Sequence, residues 1–156
     1  MTTTSLYETD FYGWTQQQAH LIRAGEISVL DFENILEEIE AMGRSDKRRL
    51  RSRLTVLLMH LLKWQYQPEH RSKSWRLTSI HQRRALDDLL QDSPSLQALL
   101  DTTIAIAWKN ALKDVEIETG LDVRHIPQEC PWNFTQLMAD DFWPEPENHP
   151  APEATP

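Results

Sequence analysis

The sequence predicts an all-α fold: a compact bundle of about five to six helices with antiparallel hairpin packing, followed by a disordered C-terminal tail. Three observations carry that expectation. Apolar residues recur at three- and four-residue spacing along most of the 156 residues. Ser, Asp and Pro stand where those runs begin, and Gly stands where several end. No stretch alternates apolar and polar residues as a half-buried strand would, and the chain holds only four glycines.

The first run extends from Thr9 or Asp10 to Ala24, with Phe11, Trp14, Gln18, Leu21 and Ile22 on one face. Asp10 can cap its start and Gly25 can supply a left-handed stop. Ser28 opens a Ser-x-x-Asp variant of the capping box with Asp31. The helix behind it points Phe32, Ile35, Leu36 and Ile39 at the core and is expected to end at Gly43. Ser45 or Asp46 then caps a helix striped by Leu50, Leu54, Leu57, Leu58, Leu61 and Trp64. Pro68 ends that helix, because proline has no N–H to donate and disfavours helical geometry at Gln67.

The next helix spans about Ser72 to Leu90. Trp75, Leu86, Leu89 and Leu90 lie on one side of it and Leu77 and Ile80 are displaced, which predicts a central position with two neighbours. Ser93-Pro94 starts another helix. Its stripe runs from Leu96 through Leu99, Leu100, Ile104, Ala107, Ala111 and Leu112 to Val115 and stops at Thr119-Gly120. Pro127 and Pro131 bracket an irregular segment, and a short helix follows Asn133 to about Asp140. From Pro144 onward five of thirteen residues are proline and none is a large aliphatic, so 144–156 is expected to be a disordered tail on a single helical domain of residues 1–143.

Composition bounds the function. Hydrophobic residues make up 40% of the chain and charged residues 26%, ordinary values for a globular protein. One cysteine, Cys130, excludes an intramolecular disulfide. The N-terminus lacks the charged and apolar regions of a signal peptide. The longest apolar stretch, Leu54 to Leu62, is too short to cross a bilayer, which takes about 20 residues. A cytoplasmic protein without a membrane partner is expected.

Charge is the sharpest functional feature. The chain is −8 overall, yet twelve of its sixteen Lys and Arg fall between Arg44 and Arg84 against only Asp46 and Glu69, a local charge of +10. Part of this surrounds the first turns of the Leu50 helix, where cations oppose the helix dipole. The preceding helix carries Asp31, Glu33, Glu37, Glu38 and Glu40. A turn at Gly43 would fold the two antiparallel, acidic face on basic face.

The second part gathers cations, aromatics and amides around one proline turn: His60, Lys63, Trp64, Gln67, Arg71, Trp75 and Arg76. Arg and Lys bind anionic groups, and Trp stacks on rings or cations. Arg71 and Trp75 stand i, i+4, the spacing for a guanidinium on an indole within one helix. A corner of tryptophans packed under the helix ends, with Lys and Arg stems laid over it, explains the same residues without any ligand.

Two functional classes follow. One is a non-enzymatic module that uses this turn to bind a protein partner. The other is an RNA- or DNA-binding protein that uses the whole basic 44–84 segment. A third reading, a metal-dependent or hydrolytic enzyme, would bring Glu37, Glu40 and His60 together. The chain has no His-Glu-x-x-His and no paired Glu-x-x-His, and one cysteine cannot make a thiolate zinc site. No cofactor is expected. Glu129 beside Cys130 opposes a reactive thiolate.

Several motifs in order resemble a bacterial all-helical family catalogued as domain of unknown function 29. They are Tyr7-Glu8-Thr9-Asp10-Phe11-Tyr12-Gly13-Trp14, Glu37-Glu38-Ile39-Glu40-Ala41-Met42-Gly43-Arg44-Ser45, His60-Leu61-Leu62-Lys63-Trp64-Gln65-Tyr66-Gln67-Pro68 and Arg71-Ser72-Lys73-Ser74-Trp75. Ser93-Pro94-Ser95-Leu96, Glu118-Thr119-Gly120-Leu121 and Cys130-Pro131-Trp132 follow. The likeness covers about residues 6 to 144 and departs at Met42, where leucine is expected. It implies a small all-helical fold and no activity.

Overall fold

The computed structural model describes residues 5–146 and is all-α, with no strand among them. Six α-helices follow in order: α1 Leu6–Thr9, α2 Phe11–Arg23, α3 Phe32–Tyr66, α4 Lys73–Asp92, α5 Leu100–Thr119 and α6 Phe134–Met138. Short 3-10 turns at Ile27–Val29, Pro68–His70, Pro94–Leu99 and Val123–His125 connect them. Two compact units divide the chain, one ending at Asp46 and the other starting at Lys47. No helix among the described residues is long and apolar enough to cross a membrane.

In the N-terminal unit Asp10 caps α2, accepting from the Gly13 N–H at 3.0 Å, and Gly25 turns left-handed at φ 70°. Trp14 and Gln18 are the buried residues of α2. Both lock onto Asp31, since the Trp14 indole N–H donates to its carboxylate at 3.0 Å and its backbone N–H donates to Gln18 at 2.9 Å. Asp31, not Ser28, takes the cap position of α3, accepting from the Asn34 side chain at 2.7 Å and, at 3.4 Å, from its N–H. The Asn34 and Trp14 bonds hold its carboxyl below the usual range. Ser28 falls in a 3-10 turn, so the expected capping box does not form. The Tyr7 hydroxyl donates to Glu38, which pushes its pKa up to about 12.

The structure overturns the hairpin at Gly43. The helix does not end there: α3 runs 35 residues, from Phe32 to Tyr66. Gly43 does not enter the left-handed region; among the glycines only Gly25 and Gly120 have positive φ. A glycine inside a helix costs about 1 kcal/mol relative to alanine, too little to break a ladder that gains a hydrogen bond at every residue. The acidic and basic runs therefore lie end to end on one helix. Their ion pairs are local, Arg44 to Glu37 at 3.0 Å and to Glu40 at 3.9 Å. Placement in one helix also resolves the dipole conflict. Glu33 occupies the first turn of α3, where negative charge is favoured, and the cations begin three turns later.

The C-terminal unit holds the main core. Leu50, Leu54, Leu57, Leu58, Leu61 and Leu62 of α3 are each 0% exposed. They pack with Leu86, Leu89 and Leu90 of α4, the α5 stripe from Leu100 to Val115, Ile126 and Leu137. Trp108 sits among them with its indole N–H satisfied by the Pro127 carbonyl at 2.9 Å, the condition for burying that ring. Ser72 caps α4, accepting from the Trp75 N–H at 3.2 Å. Ser93 makes no side-chain cap; Pro94 opens a 3-10 turn, and α5 proper begins at Leu100. Gly120 ends α5 at φ 74°. Pro144, expected to open the tail, is buried, while 147–156 of that tail lie outside the described residues.

The two glycines set opposite expectations. Gly43→Ala meets open space on a helical backbone and should raise stability by about 0.5–1 kcal/mol. Gly120→Ala must hold a left-handed residue with a Cβ and should lower it by about 1 kcal/mol. Urea midpoints of the two variants against the parent decide both.

Candidate functional site

The proline turn between α3 and α4 is built on cations laid over tryptophans. Lys63, near the end of α3, is only 3% exposed, so its ammonium is out of water. Its Nζ lies 3.1 Å from the Glu118 carboxylate of α5 and 4.9 Å from the centre of the Trp75 ring. One carboxylate and one indole face replace its hydration. Arg71 donates through Nε to the Trp64 carbonyl at 2.8 Å, and its guanidinium stands 4.7 Å over the Trp64 ring. That carbonyl is one of the last four of α3, which have no partner within the helix. With Pro68 instead of glycine after the helix, an arginine from beyond the turn supplies the missing donor and the positive charge a C-terminus favours.

The expected Arg71–Trp75 stack does not form. Arg71 precedes the Ser72 cap with extended backbone (ψ 134°), so the i, i+4 geometry of a helix does not apply to it. Arg71 takes Trp64, and Trp75 receives Lys63.

Trp143 completes the corner. Its ring centre is 4.7 Å from that of Trp64, and Arg76 and Arg83 lie 5.4 and 5.0 Å from it. Arg83 is 3% exposed and clamps the segment after α6. Nε donates to the Leu137 carbonyl at 2.7 Å and Nη2 to the Phe142 carbonyl at 2.6 Å. Burial lowers its pKa, opposed by the charges of Asp140 and Asp141. Arg71 Nη2 and Arg83 Nη1 are buried without a hydrogen-bond partner.

Among the remaining residues expected to bind, His60 is half-buried and its Nδ1 lies 2.8 Å from the Val56 carbonyl, which selects the tautomer that donates there. Burial lowers its pKa, and the Val56 bond opposes the shift. Gln67 and Trp75 are half-buried, and Arg76 is exposed. His70 and Lys73 are exposed on the same turn. His60 is bound to its own helix, and the other six residues divide. Lys63, Trp64 and Arg71 hold the corner together, whereas Gln67, Trp75 and Arg76 reach its rim.

Three residues of the corner escaped the sequence reading: Glu118, Arg83 and Trp143. Arg83 left a signal, since Ser79, Arg83, Leu86 and Leu90 keep one helical register and an arginine there is an arginine in the core stripe. Glu118 and Trp143 left none, because their pairing is set by tertiary approach.

Glu37, Glu40 and His60 all sit on α3, with His60 twenty residues beyond Glu40. No group of three His, Cys, Asp or Glu among the described residues could hold a metal ion. Cys130 is half-buried, and burial raises its thiol pKa, the reverse of an activated nucleophile.

A family model described as Domain of unknown function DUF29 matches residues 6–143. The chain belongs to that family. No curated protein and no solved structure matches it. The DUF29 match ends at Trp143, the residue that closes the corner.

Two outcomes test this geometry. Arg83→Met removes a charged donor from two carbonyls and should cost about 2–4 kcal/mol. Faster amide exchange across 137–143 is expected with it. His60 is lowered in the folded state from its ordinary 6.5, so its contribution is present above that value and lost as pH falls toward the folded pKa. His60→Gln should flatten the decline in denaturation midpoint between pH 7.5 and pH 5.

Proposed function

We propose that this DUF29 chain is a non-enzymatic interaction module that takes an acidic segment of a protein partner on the rim of the turn between α3 and α4. The observation that carries the reading is the fate of the cations. Lys63 and Arg71 are consumed inside the corner, while Lys73 and Arg76 stay exposed beside His70. Arg76 is further held in place against Trp143, so little side-chain freedom is lost when it binds. Leu77, which is 53% exposed, stands four residues from Lys73 and next to Arg76 on the same side of α4, as an apolar anchor. Cations around apolar anchors fit carboxylates flanking a large side chain. The net charge of −8 favours a protein over a polyanion.

A second reading has its own support. Lys47, Arg48 and Arg51 are exposed on α3, as direct RNA or DNA binding through 44–84 requires.

One experiment separates the two. Labelled acidic, Trp-containing peptides and labelled RNA and DNA are titrated with the protein and with Lys73→Glu/Arg76→Glu, both changes being at exposed positions. Peptide binding with modest salt dependence, lost in the folded double variant, is expected. Nucleic-acid binding that falls by roughly 0.9 log units per phosphate contact per tenfold salt would give the surface to a polyanion instead. Absence of both sinks the reading.

A further inference from the structure

Two hollows lie along the groove between α3 and α5, both wholly within the C-terminal unit. The first, of about 220 Å³, is edged by Lys47 and Arg51 of α3 and by Thr102 and Thr103 of α5. Its apolar lining is Leu99 and Ile106, which is 44% exposed. The second, of about 340 Å³, lies between Arg51, Ser52, Thr55 and Val56 on one wall and Asn110, Lys113 and Asp114 on the other. The two share Arg51. Residue numbers rise in the same direction on both walls, so the helices run parallel and line the groove over about 13 Å of α3. Small-molecule sites occupy about 300–1,000 Å³, a range this pair of hollows enters.

Charge in the groove is unbalanced. Lys47, Arg51 and Lys113 are exposed and make no ion pair among the described residues. Asp114 is the one acid among the described residues that line the hollows, so three cations face one carboxylate in a chain of −8. Lys47 and Arg51 stand i, i+4 with the same sign, a spacing at which like charges weaken a helix. Folding alone gives no reason to place them so.

Hydrogen-bond donors are in surplus at the same place. Thr55 and Thr103 donate to carbonyls of their own helices, at Arg51 and Leu99. The Ser52 hydroxyl and the Asn110 amide have no such acceptor among the described residues. The second hollow therefore offers a guanidinium, an ammonium, a hydroxyl and an amide. A carboxylate brings two oxygens to such a set, whereas a phosphate monoester brings three and a larger charge. Leu99 and Ile106 give the group that carries the phosphate an apolar wall. No aromatic ring lines either hollow, so the stacking that holds a single nucleic-acid strand is missing.

We propose that the groove between α3 and α5 binds a small organic phosphate, the phosphate among Arg51, Ser52, Asn110 and Lys113 and the apolar body against Leu99 and Ile106. The site shares no residue with the rim of the proline turn and stands whether or not that rim binds a protein.

Phenyl phosphate, inorganic phosphate and benzoate, titrated into the ¹⁵N-labelled full chain at constant ionic strength, test it through amide shifts. Both phosphates are expected to move the amides of 51–56 and 110–114. Phenyl phosphate should also move those of 99–106 and bind about tenfold more tightly than benzoate. Arg51→Gln and Lys113→Gln, both at exposed positions and checked for folding by circular dichroism, should each weaken both phosphates by about tenfold. Ile106→Ser should weaken phenyl phosphate alone. Absence of shifts, or shifts that the charge variants leave unchanged, overturns the proposal. So does benzoate binding as tightly as phenyl phosphate, or Ile106→Ser without effect, which would leave a site for free phosphate only. A single-stranded oligonucleotide that displaces both phosphates and binds more tightly would give the groove to a polyanion and overturn it as well.

Discussion

An unbroken hydrogen-bond ladder through Gly43 decides most of what is unusual about this molecule. Had the helix stopped there, Phe32, Leu36 and Ile39 would have folded back as the apolar face of a hairpin, and the glutamates around them would have met the arginines of the next helix. Because the ladder continues, the same residues are strung along one axis. The stripe that is buried from Leu50 onward is exposed from Phe32 to Ile39. A penalty of about 1 kcal/mol for one helical glycine is small beside the cost of nucleating a second helix and capping two new ends. The carboxylates before Arg44 and the cations after it add local pairs, each worth little because both partners are about half exposed.

The corner beyond Pro68 shows the opposite economy of charge. Moving an ammonium or guanidinium out of water costs several kcal/mol unless its donors and field are replaced. Lys63 is supplied with a carboxylate and a ring face, and Arg83 with two carbonyls and a ring face. These groups then fix geometry more than they add stability. Arg83 joins α4 to the backbone at Leu137 and Phe142. Trp143, laid against Trp64, spans the remaining gap. A basic cluster that reads from sequence as one surface is thus two layers, an inner one that ties helices and an outer one that faces water.

Much of this was legible in advance, and the limits have physical causes. Every long apolar period was found, because burial of one face imprints its repeat on the sequence: Leu50 to Leu61 and Leu100 to Val115 are the core stripes. Pro68, Asp10, Gly25, Ser72 and Gly120 act as their chemistry predicts. Gly43 misled because glycine permits a break without requiring one, and the choice rests on what the flanking residues gain by continuing. Ser28 misled because Asp31 has two further donors, from Trp14 and Asn34, that a local motif does not reveal. At the corner, the residue types were right and their partners were not. Arg71 was assigned to Trp75 by spacing, but spacing governs only within a helix, and the helix begins after it.

The two departures share a direction. In both, charged and apolar groups that seemed able to satisfy each other nearby are instead committed elsewhere, Arg71 to a helix end and the early glutamates to their own helix surface. What remains unspent differs by region. Around the corner, only the rim cations are left over. In the N-terminal unit the surplus is apolar: Trp14 and Gln18 are its buried residues, while ten large apolar side chains stay in water. So short a stretch of chain gains little from its own burial. Holding that much hydrocarbon in water forgoes about 25 cal/mol for every Å² left uncovered. Each unit thus leaves at its surface what its own folding does not use, hydrocarbon in the N-terminal unit and cations at the corner.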